Sequence, residues 1–221
     1  MSGQASGLTS GRRVSMAQLV DGVQAVGECL VRRDQAGILL AEEAERVARA
    51  CHDMAMRFHR GGTLMVFGNG GASTDAQHVS VEFVHPVIVG KRALPSISLT
   101  NDVATLTGVA LREGFGQVFA HQIRRLARPW DIALGLSSDG LCENVLRGLE
   151  EAKVRGLLTV ALVGGDGGPI AASPAVDHVL FARSADPHVV KEVHVTIYHI
   201  LWELVHVFFE QPGLLGPEVL A

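Results

Sequence analysis

Cysteine is scarce in this sequence, and the few cysteines present follow no recognisable spacing. The 221-residue chain contains three of them, Cys29, Cys51 and Cys142. An odd and irregularly spaced set provides neither the disulfide framework of a small secreted protein nor the paired cysteines of a zinc ribbon. We therefore expect reduced thiols and a cytoplasmic protein.

Long apolar runs and a strong charge of either sign are also missing. No stretch reaches the roughly 18 uninterrupted apolar residues of a membrane-spanning helix, so we expect no membrane span. The formal net charge is −4, which gives no basic excess for direct binding of nucleic acid. Residues 1–15 lack the apolar core of a signal peptide and are predicted to form a disordered leader. The composition of the remainder, residues 16–221, is typical of a single folded domain.

Helical periodicity and short apolar runs alternate along that domain. Apolar spacing predicts an N-terminal helical pair, over residues 16–33 and 36–60. A final helix is predicted from the Asp186-Pro187 pair, a good start signal, to residue 210. Strands alternating with helices predict right-handed βαβ units and an α/β fold with a parallel sheet. The apolar runs that predict strands are residues 63–67, 95–99, 131–136, 157–163 and 178–182.

A glycine-rich turn, FGNGGAST, follows the first predicted strand. In open α/β sheets ligands bind outside the carboxyl ends of the strands, and glycines let the backbone approach an anion closely. The turn lacks the Gly-Lys-Ser/Thr of a nucleotide-binding loop, and it also lacks the last glycine of the dinucleotide fingerprint GxGxxG. An anion cradle and an ordinary tight turn are therefore equal alternatives on this pattern alone.

Two further turns follow later strands. After the third predicted strand, Ser137 and Ser138 could donate hydroxyls to a phosphate, whereas Asp139 would repel a phosphate or cap the next helix. The turn over residues 164–168, GGDGG, follows the fourth strand and could be only a connection. Two polar turns after parallel strands indicate a ligand site more strongly than either turn does alone.

Candidates for acid–base chemistry lie on two predicted helices. His78 and Glu82 are four residues apart and share a helix face, so Glu82 could abstract a proton or the pair could hold a metal. Spacing alone favours an ordinary surface pair. On the last helix Lys191 and His199 share a face, and the apolar neighbours of His199 are typical of a hydrogen-bonded core histidine.

Three ordered motifs resemble those of the sugar isomerase (SIS) domain family, specifically its phosphoheptose isomerase branch. They are GNGGASTDAQHVSVE, the segment from GLSSDG to VGGDGG, and KEVHVTIYHIL, which is similar to the family's IQExHxxxIHxL. The resemblance spans about residues 16–210. It implies an SIS-type three-layer αβα fold with a five-stranded parallel sheet and a homotetramer with active sites between subunits. It also implies isomerisation of sedoheptulose 7-phosphate, a sugar phosphate, through an enediol.

The resemblance also implies roles for individual residues. Glu82 would be the base that moves a proton between two carbons, and His199 would be an acid/base contributed across a subunit interface. A zinc ion, present in some members, would lie among His78, Glu82, His199 and the position of Lys191. The candidate substrate-binding residues are Asn69, Gly70, Gly71, Ser73, Asp102, Ser137, Ser138, Asp139 and Lys191.

Several residues depart from the family pattern. Ala72 replaces a serine of the phosphate turn, although Ser73 could substitute for it. Asp139 and Cys142 replace two further serines. The carboxylate of Asp139 would repel a bound phosphate, because two like charges ~4 Å apart cost on the order of 4 kcal/mol at an effective dielectric near 20. Lys191 replaces a glutamine that ligates zinc, and a protonated lysine cannot ligate a metal. These departures make a resident zinc doubtful.

Three functional hypotheses follow. The first is an aldose–ketose isomerase of the phosphoheptose type. The second is a non-catalytic SIS protein with a protein partner, such as a regulator that binds a replication initiator or an operon accessory protein. The third is an isomerase with a different sugar substrate. We further hypothesise that the ammonium of Lys191 lies near Glu82 and replaces the charge of a metal.

Overall fold

The computed structural model describes residues 16–211 and 213–215 of the chain. The chain divides into two compact units, one ending at Gln35 and the other beginning at Ala36. The predicted leader, residues 1–15, lies outside the described residues. The expectation of one domain over residues 16–221 stays a prediction.

The described part of the first unit belongs to helix α1, Met16–Glu42. This helix continues past the predicted end at residue 33, because no proline or capping turn interrupts it there. Only Glu43 separates α1 from α2, Ala44–His59. In the first unit, apolar side chains at helical spacing remain exposed, which leaves a surface able to receive a partner. They are Leu19, Val20, Val23, Val26 and Leu30.

Five parallel strands form one sheet in the order β2-β1-β3-β4-β5. Each strand lies within one residue of its predicted position, which confirms the predicted parallel sheet. The central strands β1, β3 and β4 are buried on both faces, as parallel strands between helical layers must be, whereas the edge strands β2 and β5 are partly exposed. The strands are β1 Leu64–Gly68, β2 Ser96–Ser98, β3 Ile132–Ser137, β4 Leu158–Gly164 and β5 His178–Ala182.

Helices cover both faces of this sheet. The remaining helices are α3 Gly71–Val84, α4 Val103–Glu113, α5 Val118–Leu126, α6 Glu143–Val154, α7 Gly168–Ala172 and α8 Pro187–Phe209, with a 3-10 turn at Phe115–Gln117. Alternate residues of the strands belong to two separate cores. One core contains α2, α3 and α8, and the other contains α4, α5 and α6. The three-layer αβα architecture is thereby confirmed.

The last helix begins as its sequence predicts. The carboxylate of Asp186 accepts a hydrogen bond from the backbone amide of His188, and Pro187 occupies the first turn. Helix α8 packs into the same core as α2 and α3. No helix among the described residues combines the length and hydropathy that crossing a membrane requires.

The direction in which the chain adds strands reverses at β1. Its neighbours are β2 on one side and β3 on the other. The loops that follow β1 and β3 therefore lead away from each other and leave a crevice at the carboxyl edge of the sheet, where open α/β folds bind ligands.

Candidate active site

A pair of side-chain amides joins the two loops at this crevice. Asn69 follows β1 and Asn144 lies in the first turn of α6; each donates from Nδ2 to Oδ1 of the other, at 2.7 and 2.9 Å. Asn144 is buried. Sequence reasoning proposed Asn69 as a ligand residue but missed Asn144, because no local pattern relates positions 75 residues apart.

The turn after β1 depends on its glycines. Gly70 has a φ of 55°, which favours glycine, and a Cβ on Gly68 would lie 2.8 Å from the Cβ of Ala72. The hydroxyl of Ser73 donates to the carbonyl of Gly70 at 2.7 Å. Ser73 therefore does not substitute for the serine that Ala72 replaces, which corrects that expectation.

A cavity of about 450 Å³ opens beside this turn, between α3 and α8. Four of the predicted substrate-binding residues contribute to its wall, namely Asn69, Gly71, Ser138 and Lys191. The others do not line it: Gly70, Ser73, Asp102, Ser137 and Asp139. Its remaining wall consists of Ala72, Asp75, Pro187, His188, Val190, Glu192, His194 and Val195.

Lys191 closes one side of the cavity. Its Nζ lies 2.6 Å from Oδ1 of Asp75, 3.1 Å from the carbonyl oxygen of Gly71 and 3.4 Å from Oγ1 of Thr74. These contacts lie at the first turn of α3, and none of them involves Glu82. The hypothesis that the ammonium sits beside Glu82 is therefore wrong, because the buried carboxylate of Asp75 binds it about two turns earlier on α3.

The loop after β3 satisfies its own polar groups. Oδ1 of Asp139 accepts from the amide of Leu141 at 2.9 Å and from the hydroxyl of Ser137 at 3.1 Å. The Ser137 oxygen in turn accepts from the amide of Gly140. Asp139 does not cap α6, and Ser137 is buried within the loop rather than presented to the cavity. Only Ser138 faces the cavity, so the predicted pair of ligand hydroxyls is reduced to one.

The third glycine-rich turn supports this loop. A Cβ on Gly164 would lie 2.0 Å from the carbonyl oxygen of Ser138, and a Cβ on Gly140 would lie 1.9 Å from that of Gly167. Backbone approaches this close exclude any side chain. The glycines after β4 therefore serve the packing of two loops, in agreement with the interpretation of GGDGG as a connection.

Asp102 has a structural partner in place of a ligand. Both of its carboxylate oxygens accept hydrogen bonds from Thr105, one from the amide and one from the hydroxyl, at the start of α4. The Thr105 hydroxyl, followed by the amide, lowers the pKa of this exposed carboxyl. Asp102 is thus a helix cap, and its predicted place at the substrate is not supported by this geometry.

The acid–base candidates converge where α3 and α8 meet. Nε2 of His78 lies 3.3 Å from Oε1 of Glu82, and ligand atoms of His78, Glu82 and His199 all lie within 4.8 Å of one another. The Glu82 side chain is only 15% exposed. The grouping forms within one chain. The expectation that His199 also serves a site across a subunit interface stays a prediction.

Two hydrogen bonds fix the helices that carry this cluster. The hydroxyl of Tyr198 lies 2.9 Å from Nδ1 of His78, and Nε1 of Trp202 donates to the backbone carbonyl of Glu82 at 2.9 Å. Burial raises the pKa of Tyr198 above its ordinary value, with smaller contributions from Asp75 and Glu82. Sequence reasoning missed Tyr198, whose partner lies 120 residues away.

The cluster fits a metal ion in donor type. Two imidazoles and a carboxylate are the donors of an open three-ligand zinc site. The fourth position expected from the resemblance is Lys191, which has no lone pair and pairs with Asp75. A zinc ion held by His78, Glu82 and His199 would act as a Lewis acid toward a substrate oxygen.

His194 is a buried neutral histidine in the cavity wall. Its side chain is 2% exposed, and burial lowers its pKa from 6.5 to about 4. A hydrogen bond to the backbone of Val163 and the charge of Asp75 oppose this shift, whereas Lys191 adds to it. Among the described residues, Nε2 of His194 has no hydrogen-bond partner.

The SIS domain family model matches residues 34–164. The chain therefore belongs to the SIS domain family. It is similar to the phosphoheptose isomerase of Solidesulfovibrio magneticus, with 40% identity over 177 residues that cover 80% of this chain and 85% of the relative.

Two solved structures are also similar to this chain. The phosphoheptose isomerase from Francisella tularensis gives a TM-score of 0.79 at 30% identity, covering 84% of this chain and 98% of that one. GmhA, the phosphoheptose isomerase from Neisseria gonorrhoeae, gives 0.75 at 27% identity, covering 82% and 97%. These matches confirm the SIS fold and the branch that the motifs indicated.

Proposed function

We propose that this protein is an aldose–ketose isomerase that acts on a sugar phosphate of the sedoheptulose 7-phosphate type through an enediol. The observation that carries the proposal is the convergence of Glu82, His78 and His199 where α3 and α8 meet, on the same two helices that contribute to the wall of the cavity. Similarity to phosphoheptose isomerases over most of the chain supports the substrate class. The non-catalytic alternative gains no support from a site that retains its acid–base groups.

In the proposed reaction these groups have distinct tasks. The partly buried carboxylate of Glu82 removes a proton from the carbon next to the carbonyl and returns it to the neighbouring carbon. His199 exchanges protons with the two oxygens, which keeps the enediol neutral. Asn69, Gly71 and Ser138 present polar groups to a bound sugar from the cavity wall.

Two substitutions test the catalytic assignment. With sedoheptulose 7-phosphate as substrate, Glu82→Gln and His199→Ala should each lower kcat by about 100-fold or more, because each removes an acid–base group. Glu45→Gln is the matched control, since Glu45 is an exposed carboxylate on α2 that pairs with Arg49. Absence of turnover in correctly folded and assembled wild-type protein would overturn the proposal.

We also propose a cytoplasmic homotetramer with active sites at its subunit interfaces. The exposed apolar row on α1 supports an association surface, and the half-exposed side chain of His78 supports a site that a second subunit covers. The free thiols of Cys29, Cys51 and Cys142 are consistent with a reducing compartment. Native mass spectrometry tests the assembly, and a monomer at micromolar concentration would contradict it.

No firmly bound zinc is part of the proposed mechanism. Lys191 stands at the position where the resemblance implies a fourth ligand, but its ammonium pairs with Asp75 and has no lone pair to offer a metal ion. The proton transfers assigned to Glu82 and His199 require only side chains of this chain.

A further inference from the structure

A chain of hydrogen bonds leads from a buried hydroxyl to the catalytic carboxylate. The Tyr198 hydroxyl is 2.9 Å from Nδ1 of His78, and Nε2 of the same ring is 3.3 Å from Oε1 of Glu82. The two contacts use both nitrogens of one imidazole. They connect α8 to the base through α3.

We propose that Tyr198 is a positioning residue that fixes the tautomer of His78 and, through it, the orientation of the Glu82 carboxylate. This inference rests on the proposed isomerase function, in which Glu82 is the base. It assigns His78 the role of a hydrogen-bond donor to Glu82.

The directions of the hydrogen bonds follow from the chemistry of the three groups. An ionised carboxylate can only accept, so Nε2 of His78 must carry the proton that is shared with Oε1 of Glu82. In a neutral imidazole the other nitrogen is then an acceptor. The Tyr198 hydroxyl must therefore donate to Nδ1, which satisfies all three groups at once.

Burial makes this arrangement costly to break. Tyr198 is only 2% exposed, and a buried hydroxyl without a partner is destabilising because it has lost its hydrogen bonds to water. Its ring also packs edge-on against those of His78 and His199, with centroid distances of 5.4 and 4.9 Å. The Tyr198 hydroxyl is thus held where it selects one tautomer.

Two consequences follow for the base. One oxygen of Glu82 is engaged by His78, which leaves Oε2 as the atom that accepts the substrate proton. The tautomer with hydrogen on Nε2 also removes the lone pair that a metal would need at that atom.

Tyr198→Phe tests the proposal, because it keeps the ring and removes only the hydroxyl. We expect kcat to fall by about tenfold, as when an outer-shell partner is removed, with KM changed less than about twofold. The ¹⁵N shifts of the His78 ring should show hydrogen on Nε2 in the wild type and a mixture of tautomers in the variant. A purely structural role for Tyr198 would leave the tautomer of His78 unchanged.

Trp202→Phe is the matched control for the ¹⁵N measurement. It removes the hydrogen bond from Nε1 of the Trp202 side chain on α8 to the carbonyl of Glu82 on α3 but leaves the His78 ring contacts in place, so the tautomer should not change. Hydrogen on Nδ1 in the wild type would overturn the proposal, and that measurement does not require a folded variant. An unchanged kcat in Tyr198→Phe would also overturn it.

Different results would contradict the isomerase function and the positioning role of Tyr198. If the wild type lacks isomerase activity but its His78 carries hydrogen on Nε2 and loses that preference in Tyr198→Phe, the proposed function is wrong and the hydrogen-bond chain stands. If the wild type is active and the tautomer does not respond, the positioning role is wrong and the isomerase assignment stands.

Discussion

Lys191 on the last helix forms an ion pair with Asp75 on α3, with 2.6 Å between Nζ and Oδ1. Asp75 lies one turn before His78 on the same helix. The pair therefore ties α8 to the segment that carries both the glycine turn and the catalytic candidates. The Asp75 side chain is 7% exposed, so its charge depends on this partner.

Lys191→Met should destabilise the protein by about 1–3 kcal/mol, because it leaves a buried carboxylate without its cation. The free energy of unfolding from urea titration measures this. Lys153→Met is the control and should cost less, since Asp177, its partner, is more exposed. If adding Asp75→Asn to Lys191→Met restores none of the lost stability, the ion pair does not explain the effect.

Lys191→Gln should increase zinc occupancy, because it removes a positive charge and supplies an oxygen donor at the fourth position. Metal analysis of protein purified with equimolar zinc measures the change. The double variant Lys191→Gln/His199→Ala should lose the gain. Equal zinc contents in wild type and Lys191→Gln would show that Lys191 does not control metal binding.

Asp139→Asn should lower the KM for a sugar phosphate by about tenfold, since it removes a like charge from the loop that presents Ser138. Calorimetric titration of the ligand into the Glu82→Gln background reports the same effect without turnover. Asp166→Asn is the control, because Asp166 caps an amide in the turn after β4 in the same manner. If Asp139→Asn and Asp166→Asn lowered the KM equally, the effect would not be local to Asp139.

Asn144→Ala should raise KM and lower the free energy of unfolding by about 1–3 kcal/mol, because the amide of Asn69 loses both of its bonds to Asn144. Thermal unfolding and steady-state kinetics measure the two effects. Asn101→Ala, at an exposed position, should change neither. A stable Asn144→Ala variant with wild-type KM would exclude a role for the amide pair.

The free energy of unfolding should decrease as the pH is lowered and His194 becomes protonated. Its pKa is 6.5 in the unfolded chain and about 4 in the folded protein, so between these values the unfolded chain binds the proton more tightly. The contribution is fully present above pH 6.5 and lost as pH falls to about 4, a loss on the order of 3 kcal/mol. His194→Gln should flatten that part of the pH profile, and an unchanged slope would rule out His194 as its source.

The strands and the last helix were predictable because their signals are local. Apolar runs bounded by glycines define the strands, and Asp186 with Pro187 defines the start of α8. The break between α1 and α2 was misplaced because residue 34 carries no signal strong enough to end a helix. Glu43, where the break occurs, carries none either.

The site was predictable only where its residues are close in sequence. His78 and Glu82 share one helix, and their pairing follows from spacing. Asp102 was expected near the substrate from the resemblance alone, and its capping role became visible only once Thr105 was placed beside it. The partners of Lys191 and Tyr198 depend on the packing of α8 on α3, which periodicity does not specify.

The wide spacing of the site along the chain has a consequence for its biosynthesis. Asn69 and Asn144 are 75 residues apart, Lys191 and Asp75 are 116 apart, and Tyr198 and His78 are 120 apart. Domains generally fold as units, and α8 supplies part of the core that covers one face of the sheet. A nascent chain therefore has no acid–base cluster until its final helix emerges, and premature termination before residue 191 would remove both the cluster and that part of the core.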